Sequence, residues 1–364
     1  MRQTQNSQES DDKLPSDIEV LKQQVTKKFG KGVMRRASEK LPWLHIPTGI
    51  FTLDMAMHGG IPRSQMTLIF GRESSGKSTL ALKIIGSAQR MFPGQETILI
   101  DIEGTFDEVW ATRHRVDNDK LWLIQPDTGE NALDIADEIL KLPNVSVIAV
   151  DSLAALIPYK EKEASTEDDL PGLQARLIGK FVRKVISGLV AQRKHGEIPS
   201  IILLNQWRSR FVRMGDPRIL PGGQAQHYSS FAKIEILNKE QMGKDALEQD
   251  TVDFNEHSFK IIKNKEGTAI RHGEFKMIRN PSHEQFEQGF IDDAATVATW
   301  ARKFGVITGS GKGGFQIEGI DKKFRIVMDI EKYMYENPVF YNEFKMKLIS
   351  MYRVNNGLNS ENWL

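Results

Sequence analysis

The sequence predicts an α/β protein: a mostly parallel central sheet flanked by helices, with a short helical segment before it and a small α+β domain after it. Two observations carry that expectation. Short apolar runs at 66–70, 97–101, 121–125, 145–150 and 200–204 alternate with helical segments such as Glu130 to Lys141 and Gly172 to Lys194. Strands that are apolar throughout are buried on both faces, and parallel neighbours need long crossovers between them. The second observation is Gly71-Arg72-Glu73-Ser74-Ser75-Gly76-Lys77-Ser78, which fits the phosphate-binding pattern G-x-x-x-x-G-K-[ST].

The context of that stretch supports it. Met66 to Phe70 has strand composition, and Thr79 to Ile85 reads as a helix with an apolar face. Gly71 and Gly76 permit backbone angles that a Cβ opposes, so amides of the loop and the helix start can point at phosphate oxygens. Lys77 would reach the terminal phosphates and Ser78 would bind Mg²⁺, with Thr79 closing the cofactor-binding stretch. The bland alternative is a chance glycine-rich turn, which the flanking strand and helix argue against.

The totals bound the rest. With 364 residues there is room for one large core and smaller domains. Lys and Arg number 49 against 48 Asp and Glu, a net of +1, so any nucleic-acid surface must be a local patch. The absence of cysteine excludes disulfides and thiolate metal sites. Residues 1–14 have no apolar stretch of the signal-peptide kind, and no apolar run is long enough to cross a membrane.

Four regions follow in order. Residues 1–15 form a polar tail, expected to be disordered. Residues 16–43 hold a helix from about Asp17, with Ile18, Leu21, Val25 and Phe29 as an apolar stripe and Gly30-Lys31-Gly32 ending it. Such a unit has too little core to stand alone, and a neighbouring subunit is a candidate cover. Residues 44–280 form the core, with further strands expected at 231–237, 256–263 and 273–278 as antiparallel additions. Residues 281–364 form the small α+β domain; its Gly309 to Gly314 run lacks the Lys-Ser/Thr ending and reads as a hairpin turn.

Phosphate chemistry needs carboxylates near the loop. Val147-Ile148-Ala149-Val150-Asp151 delivers Asp151 at a strand's C-terminal end, and Ile98-Leu99-Ile100-Asp101-Ile102-Glu103 delivers Asp101 and Glu103. Ligands of open α/β sheets bind at that edge. An acid after a strand is more often a cap or a surface charge, but two such strands beside a phosphate loop favour function for Asp151 and Glu103.

From about residue 18 to 320 the chain resembles the bacterial RecA recombinases. The resemblance rests on Phe29-Gly30-Lys31-Gly32, Pro47-Thr48-Gly49 with Leu53-Asp54, the phosphate loop, Gln125 to Glu130, Val150 to Leu156, Asn205-Gln206 and Lys263-Asn264-Lys265, all in one order. It implies a RecA-type ATPase core using ATP and Mg²⁺. Glu103 would be the catalytic glutamate that polarises water, acting with Lys77, and Gln206 would sense the γ-phosphate. Ser78 and Asp151 would hold the metal. Asp107 and Trp110 match positions that meet adenine, and Lys263 and Lys265 match lysines that reach a neighbour's ATP. Without the resemblance those two lysines read as solvated charges on an edge strand. The divergent second half and the nearly uncharged tail ending in Trp363-Leu364 suggest a distant member of bacteriophage type, in a bacterial cytoplasm or a phage-infected cell.

A DNA surface is legible in composition. Gln206 to Gly223 holds Trp207, Arg208, Arg210, Phe211, Arg213, Met214 and Arg218, with Asp216 its only acid. Arginines neutralise phosphates and large apolar groups wedge against bases, and exposing such a loop is costly otherwise. The resemblance makes it the second DNA loop, ending at Gly222-Gly223. Arg176, Lys180 and Arg183 share a helical face, where Arg176 and Arg183 match backbone-contacting positions. The acidic stretch Tyr159 to Pro171 would be the first DNA loop, with Leu170 or Pro171 as its wedge. The implied function is a helical filament on single-stranded DNA that pairs it with homologous duplex. A hexameric helicase or motor ATPase, and a non-catalytic filament-forming DNA-binding protein, are the alternatives.

Overall fold

The computed structural model describes residues 17–30, 32–39, 43–165, 172–192, 199–209, 218–244, 250–283, 285–310 and 313–358. The expected tail at 1–15, the wedge positions Leu170 and Pro171, and Trp363-Leu364 lie outside them.

Nine strands form the central sheet: β1 (Met66–Gly71), β2 (Glu96–Asp101), β3 (Leu121–Ile124), β4 (Val145–Asp151), β5 (Ser200–Gln206), β6 (Ala232–Lys244), β7 (Asp250–Asn264), β8 (His272–Ile278) and β9 (Ile291–Asp292). Their spatial order is β9-β8-β7-β6-β1-β5-β4-β2-β3. The six from β6 to β3 are parallel, and β7, β8 and β9 add antiparallel at one edge.

This corrects one expectation. The strand at 231–237 is parallel to β1, with Ala232 opposite Thr67 and Ile236 opposite Gly71. The connection from Trp207 to Phe231, which carries a short helix, is long enough for the crossover that parallel pairing requires. Only the next two predicted strands are antiparallel.

Helices α1 (Asp17–Phe29), α2 (Phe51–Ala56), α3 (Lys77–Met91), α4 (Glu108–Arg113), α5 (Gly129–Ile139), α6 (Tyr159–Glu163), α7 (Leu173–Gln192) and α8 (Ala225–Ser229) precede or connect the strands. Period-two alternation sends β1 side chains to two cores. Ile69 joins Leu80, Ile84 and Ile85 of α3 on one face. Leu68 and Phe70 join Leu133 of α5 and Phe181, Val182 and Val185 of α7 on the other.

A third core gathers α9 (Ala294–Lys303), α10 (Val327–Glu336), α11 (Pro338–Asn355) and the antiparallel strands β10 (Ile307–Ser310), β11 (Gly314–Ile317) and β12 (Lys323–Phe324). Phe51 and Met55 of α2 insert into it, which fastens this α+β unit to the central-sheet core. The glycine-rich run at 309–314 connects β10 to β11 as a hairpin, with 311 and 312 outside the described residues. In α1 no residue is buried: Ile18 is 54% exposed, Leu21 45% and Phe29 56%, so its apolar stripe has no cover among the described residues. No helix among the described residues is long and apolar enough to cross a membrane.

Candidate nucleotide and DNA site

The phosphate loop sits where β1 stops and α3 starts. A Cβ on Gly71 would lie 2.3 Å from Ile236 O and 2.5 Å from Ser75 Oγ, so neighbouring strand and loop close on a bare backbone. Gly76 takes φ +93°, the left-handed region that glycine enters without strain, and turns the chain into α3. Lys77 Nζ donates to Arg72 O at 2.7 Å across the loop. Burial pushes its ammonium down, and Asp151, Glu103 and Glu73 push back. Arg72, Glu73 and Ser74 are exposed on the rim, while Ser75 is buried with no hydrogen-bond partner for its Oγ among the described residues.

Sheet order brings the predicted carboxylates to this loop. Asp151 ends β4, one strand removed from β1, and pairs in register with Asp101 at the end of β2. Burial pushes the Asp151 carboxyl up to about 6; a hydrogen bond from Ser78 opposes this, and Glu103 adds to it. Ser78 and Asp151 thus meet, and both suit a magnesium ion, which takes hydroxyl and carboxylate oxygens. Glu103 Oε1 accepts from Ser152 Oγ at 2.5 Å and from Gln206 Nε2 at 3.0 Å. The Asp151–Ser152 peptide is cis. Asp101 is instead a loop anchor: its carboxylate accepts from Gly104 N at 2.9 Å, Phe106 N at 3.1 Å and Gln125 Nε2 at 3.1 Å, holding the segment that carries Glu103.

Trp110 and Asp107 stand beside the start of α3. Trp110 Nε1 donates to Thr79 Oγ1 at 3.2 Å, which ties α4 to the phosphate-loop helix. Asp107 caps α4 by accepting from Trp110 N at 2.9 Å. The Arg279 guanidinium lies 5.6 Å from the Trp110 ring centroid. A loop shaped for phosphates, a buried lysine, a hydroxyl–carboxylate pair and an adjacent aromatic fit a magnesium nucleotide.

The RecA N-terminal domain model matches residues 16–282, well over half of the chain. This chain belongs to the RecA family. Proteins RecA of Chloroflexus aurantiacus (35% identical, 88% of this chain and 87% of the relative), Roseiflexus castenholzii (40%, 71% of each) and Mycobacteroides abscessus (33%, 86% of this chain and 90% of the relative) are among its relatives.

In this RecA-family chain the end of the predicted loop, Gly222-Gly223, lies against α7, the helix that carries the other predicted patch. Gly222, at φ +94°, lies against Ile178 of α7, and Gly223 lies against Ala175. Buried Asn205 closes the loop at its root, donating to Pro221 O at 2.9 Å and Gln226 Oε1 at 2.8 Å. Arg176, Lys180 and Arg183 are exposed on α7 beside that junction. Lys184, next to that face, is spent on Asp134 at 3.1 Å and Asp137 at 3.2 Å of α5.

The loop base differs from what composition suggested. Trp207 turns inward, with its ring edge-on to Phe70 at 5.3 Å and its Nε1 donating to Glu235 Oε1 at 2.9 Å. The Arg218 guanidinium stacks over that ring at 5.0 Å and lies 3.6 Å from the same carboxylate oxygen. Arg208 is exposed. Arg210, Phe211, Arg213 and Met214 lie outside the described residues.

Lys263 and Lys265 stand at the other end of the sheet from the phosphate loop. Lys265 N donates to Phe231 O, and Phe231 N donates to Met66 O, level with the first residue of β1. Lys263 Nζ donates to His227 O at 3.2 Å and Tyr228 O at 2.8 Å, at the end of α8. Neither lysine is placed to serve its own chain's loop.

Sequence reading gave no role to three contributors: Ser152 and Asn205, which it named only within motifs, and His257. His257 is buried beneath the loop, stacked on Phe275 at 4.9 Å, with Nδ1 3.1 Å from Ser75 O. Burial and Arg279 push its imidazole down to about 4, so it is neutral and Nδ1 carries the proton that Ser75 O accepts. No spacing signal marks a lone histidine on a strand; only the sheet register puts it there.

Proposed function

We propose that this RecA-family recombinase is a DNA-dependent ATPase that assembles as a helical filament on single-stranded DNA and exchanges that strand with homologous duplex. The observation that carries the reading is the Glu103–Gln206 hydrogen bond. Glu103 stands among the residues suited to a triphosphate, and Gln206 is the last residue of β5 before the basic loop.

Lys77 and the amides of residues 72–78 would hold the phosphates, Ser78 and Asp151 the Mg²⁺, and Trp110 and Asp107 would border the base. Bound there, the metal would neutralise charge that develops on the phosphate oxygens. Glu103, fixed by Ser152 and Gln206, would orient a water and take its proton. When Gln206 turns toward a phosphate it leaves Glu103, and β5 transmits that choice to the loop root at Asn205. Lys263 and Lys265 would act on the phosphates of an adjoining chain, and α1 would lay its stripe on one. DNA phosphates would meet Arg176, Arg183, Arg208 and the arginines of the loop, so recognition of sequence is left to base pairing. The expected setting is a bacterial or phage-infected cytoplasm.

The test is strand exchange between a circular single strand and homologous linear duplex, with ATP, with a slowly hydrolysed analogue and with no nucleotide. Joint molecules that depend on nucleotide, together with open filaments in electron micrographs, support the reading. Closed rings, or oligonucleotide affinity unchanged by ATP, overturn it.

A further inference from the structure

At the end of the sheet away from the phosphate loop, β7 leaves through a tight turn, Asn264 to Gly267. Gly267 N donates to Asn264 O at 3.1 Å, Glu266 N donates to Asn264 Oδ1 at 3.0 Å, and Gly267 takes φ +81°. Two neighbours in this turn face opposite ways. Lys265 is exposed, and among the described residues its ammonium has no hydrogen-bond or ion-pair partner. Glu266 turns inward: its Oε2 accepts from His45 Nε2 at 2.7 Å, with the imidazole fully buried and the Glu266 side chain 10% exposed. A carboxylate taken out of water needs such a donor. His45 Nδ1 has no hydrogen-bond partner among the described residues, so the contact with Glu266 is the ring's one polar tie there.

Two further holds reach the same turn from distant parts of the chain. Buried His58 donates from Nε2 to Gly267 O at 2.6 Å. The carbonyl of His58 in turn accepts from the Arg353 guanidinium, buried near the end of α11. Lys263 is held differently, by the carbonyls of His227 and Tyr228. The turn's own hydrogen bonds, with Asn264 and Gly267, are enough to close it. The contacts from His45 and His58 add nothing to that closure; they fix where the turn stands on the body of the chain. Burying polar groups for this purpose is costly, and it suits a side chain that must be held close to one productive position by supports behind it.

We propose that Glu266 is a positioning residue for ATP turnover in the adjoining chain: anchored to His45, it sets the turn so that Lys265 is presented outward at the lysine end of the sheet. The inference rests on the reading that Lys265 acts on a neighbour's phosphates, and it adds the pair that aims it. Glu266 touches no nucleotide and acts through the residue beside it.

Mixing full-length variants tests it, read as ATP turnover at saturating nucleotide and oligonucleotide. Glu266→Ala should lose about tenfold or more in kcat. Glu266→Gln, whose amide oxygen still accepts from His45, should stay within roughly threefold of wild type. Mixed in equal amounts with Glu103→Gln, Glu266→Ala should recover about a quarter of wild-type turnover, because its own nucleotide sites then border chains with a sound turn. Mixed with Lys263→Ala/Lys265→Ala it should recover nothing, since both chains lack the same half of the interface. His45→Ala should lose as much as Glu266→Ala, and the double variant no more than either. Should far-ultraviolet dichroism show Glu266→Ala unfolded, Glu266→Asp, shorter by one carbon, takes its place in the same mixtures. Full turnover in Glu266→Ala, recovery with the lysine variant, no recovery with Glu103→Gln, or additive losses from His45→Ala and Glu266→Ala would overturn the proposal. A lysine variant that turns over like wild type would remove the reading of the lysines and this proposal together. A defective lysine variant beside a sound Glu266→Ala would remove this proposal alone.

Discussion

Gln206 Nε2 donates to Glu103 Oε1 at 3.0 Å, joining the last residue of β5 to the carboxylate beyond β2. Strand β4 lies between those two strands, so the contact closes over the strand that carries Asp151. The side chain proposed to prepare water for attack is therefore in direct contact with the root of the basic loop.

Glu103→Gln should lower DNA-stimulated ATP turnover by roughly 100-fold or more, the usual size of a general-base contribution. It should leave nucleotide-dependent DNA binding in place. Gln206→Ala should behave differently: basal turnover persists while stimulation by DNA is lost. Steady-state hydrolysis with and without oligonucleotide separates the two, and equal losses from both variants would count against a sensing role for Gln206.

Gly222→Ala should weaken single-strand affinity at least tenfold without altering ATP affinity. An added Cβ would lie 2.8 Å from Ile178 Cδ1 and 2.9 Å from its Cγ2, and φ +94° strains any side chain. Strain of this kind costs about 1–3 kcal/mol. The loop end would lift from α7, parting it from Arg176 and Arg183. Fluorescence anisotropy with a labelled oligonucleotide measures the change.

Trp207→Ala should act on stability, with a drop of about 1–3 kcal/mol from lost packing on Phe70 and the orphaned Glu235. Arg208→Ala should leave the melting temperature alone and reduce the salt dependence of DNA binding by about one phosphate contact. If both variants alter only DNA binding, the inward placement of Trp207 has no energetic weight.

Complementation between inactive chains checks the placement of Lys263 and Lys265. The double variant Lys263→Ala/Lys265→Ala and the variant Glu103→Gln should each be inactive alone. Mixed in equal amounts they should recover about a quarter of wild-type turnover, since a random head-to-tail array makes that share of intact interfaces. No recovery would mean the lysines serve their own fold, through the carbonyls of His227 and Tyr228.

Acid should loosen the region beneath the phosphate loop. The folded-state value for His257 is about 4, below the ordinary 6.5. Between those values the unfolded chain takes up the proton first, so stability falls as pH drops from 6.5 toward 4, by up to about 1.4 kcal/mol per pH unit. In His257→Gln the slope of melting temperature against pH should flatten by up to one proton. An identical slope in wild type and variant would remove His257 from the account.

Much of the ATP end was legible because its chemistry is local. Gly71 to Ser78 carries its own loop instructions, and Asp151 and Glu103 follow apolar strands whose parallel order sends their ends to one edge. What pairs across the sheet was not legible. The orientation of β6 depended on a long connection, not on its apolar pattern. Trp207 had the composition of a DNA contact, yet Glu235, a β6 residue 28 positions later, draws it inward. His257 and Asn205 gain their roles from neighbours distant in sequence, Ser75 and Gln226, and a single chain of letters gives no such neighbour.

The two ends of the sheet have one more consequence. If the loop of one chain meets the lysine end of the next, each copy gives at one pole and receives at the other. A contact of that type does not pair with itself, so assembly has a direction. The terminal chains then differ: one presents an uncovered nucleotide face and the other an uncovered lysine face. Addition and loss should proceed at unequal rates at the two tips, and hydrolysis at an interior junction has no counterpart at the tip that lacks a donor.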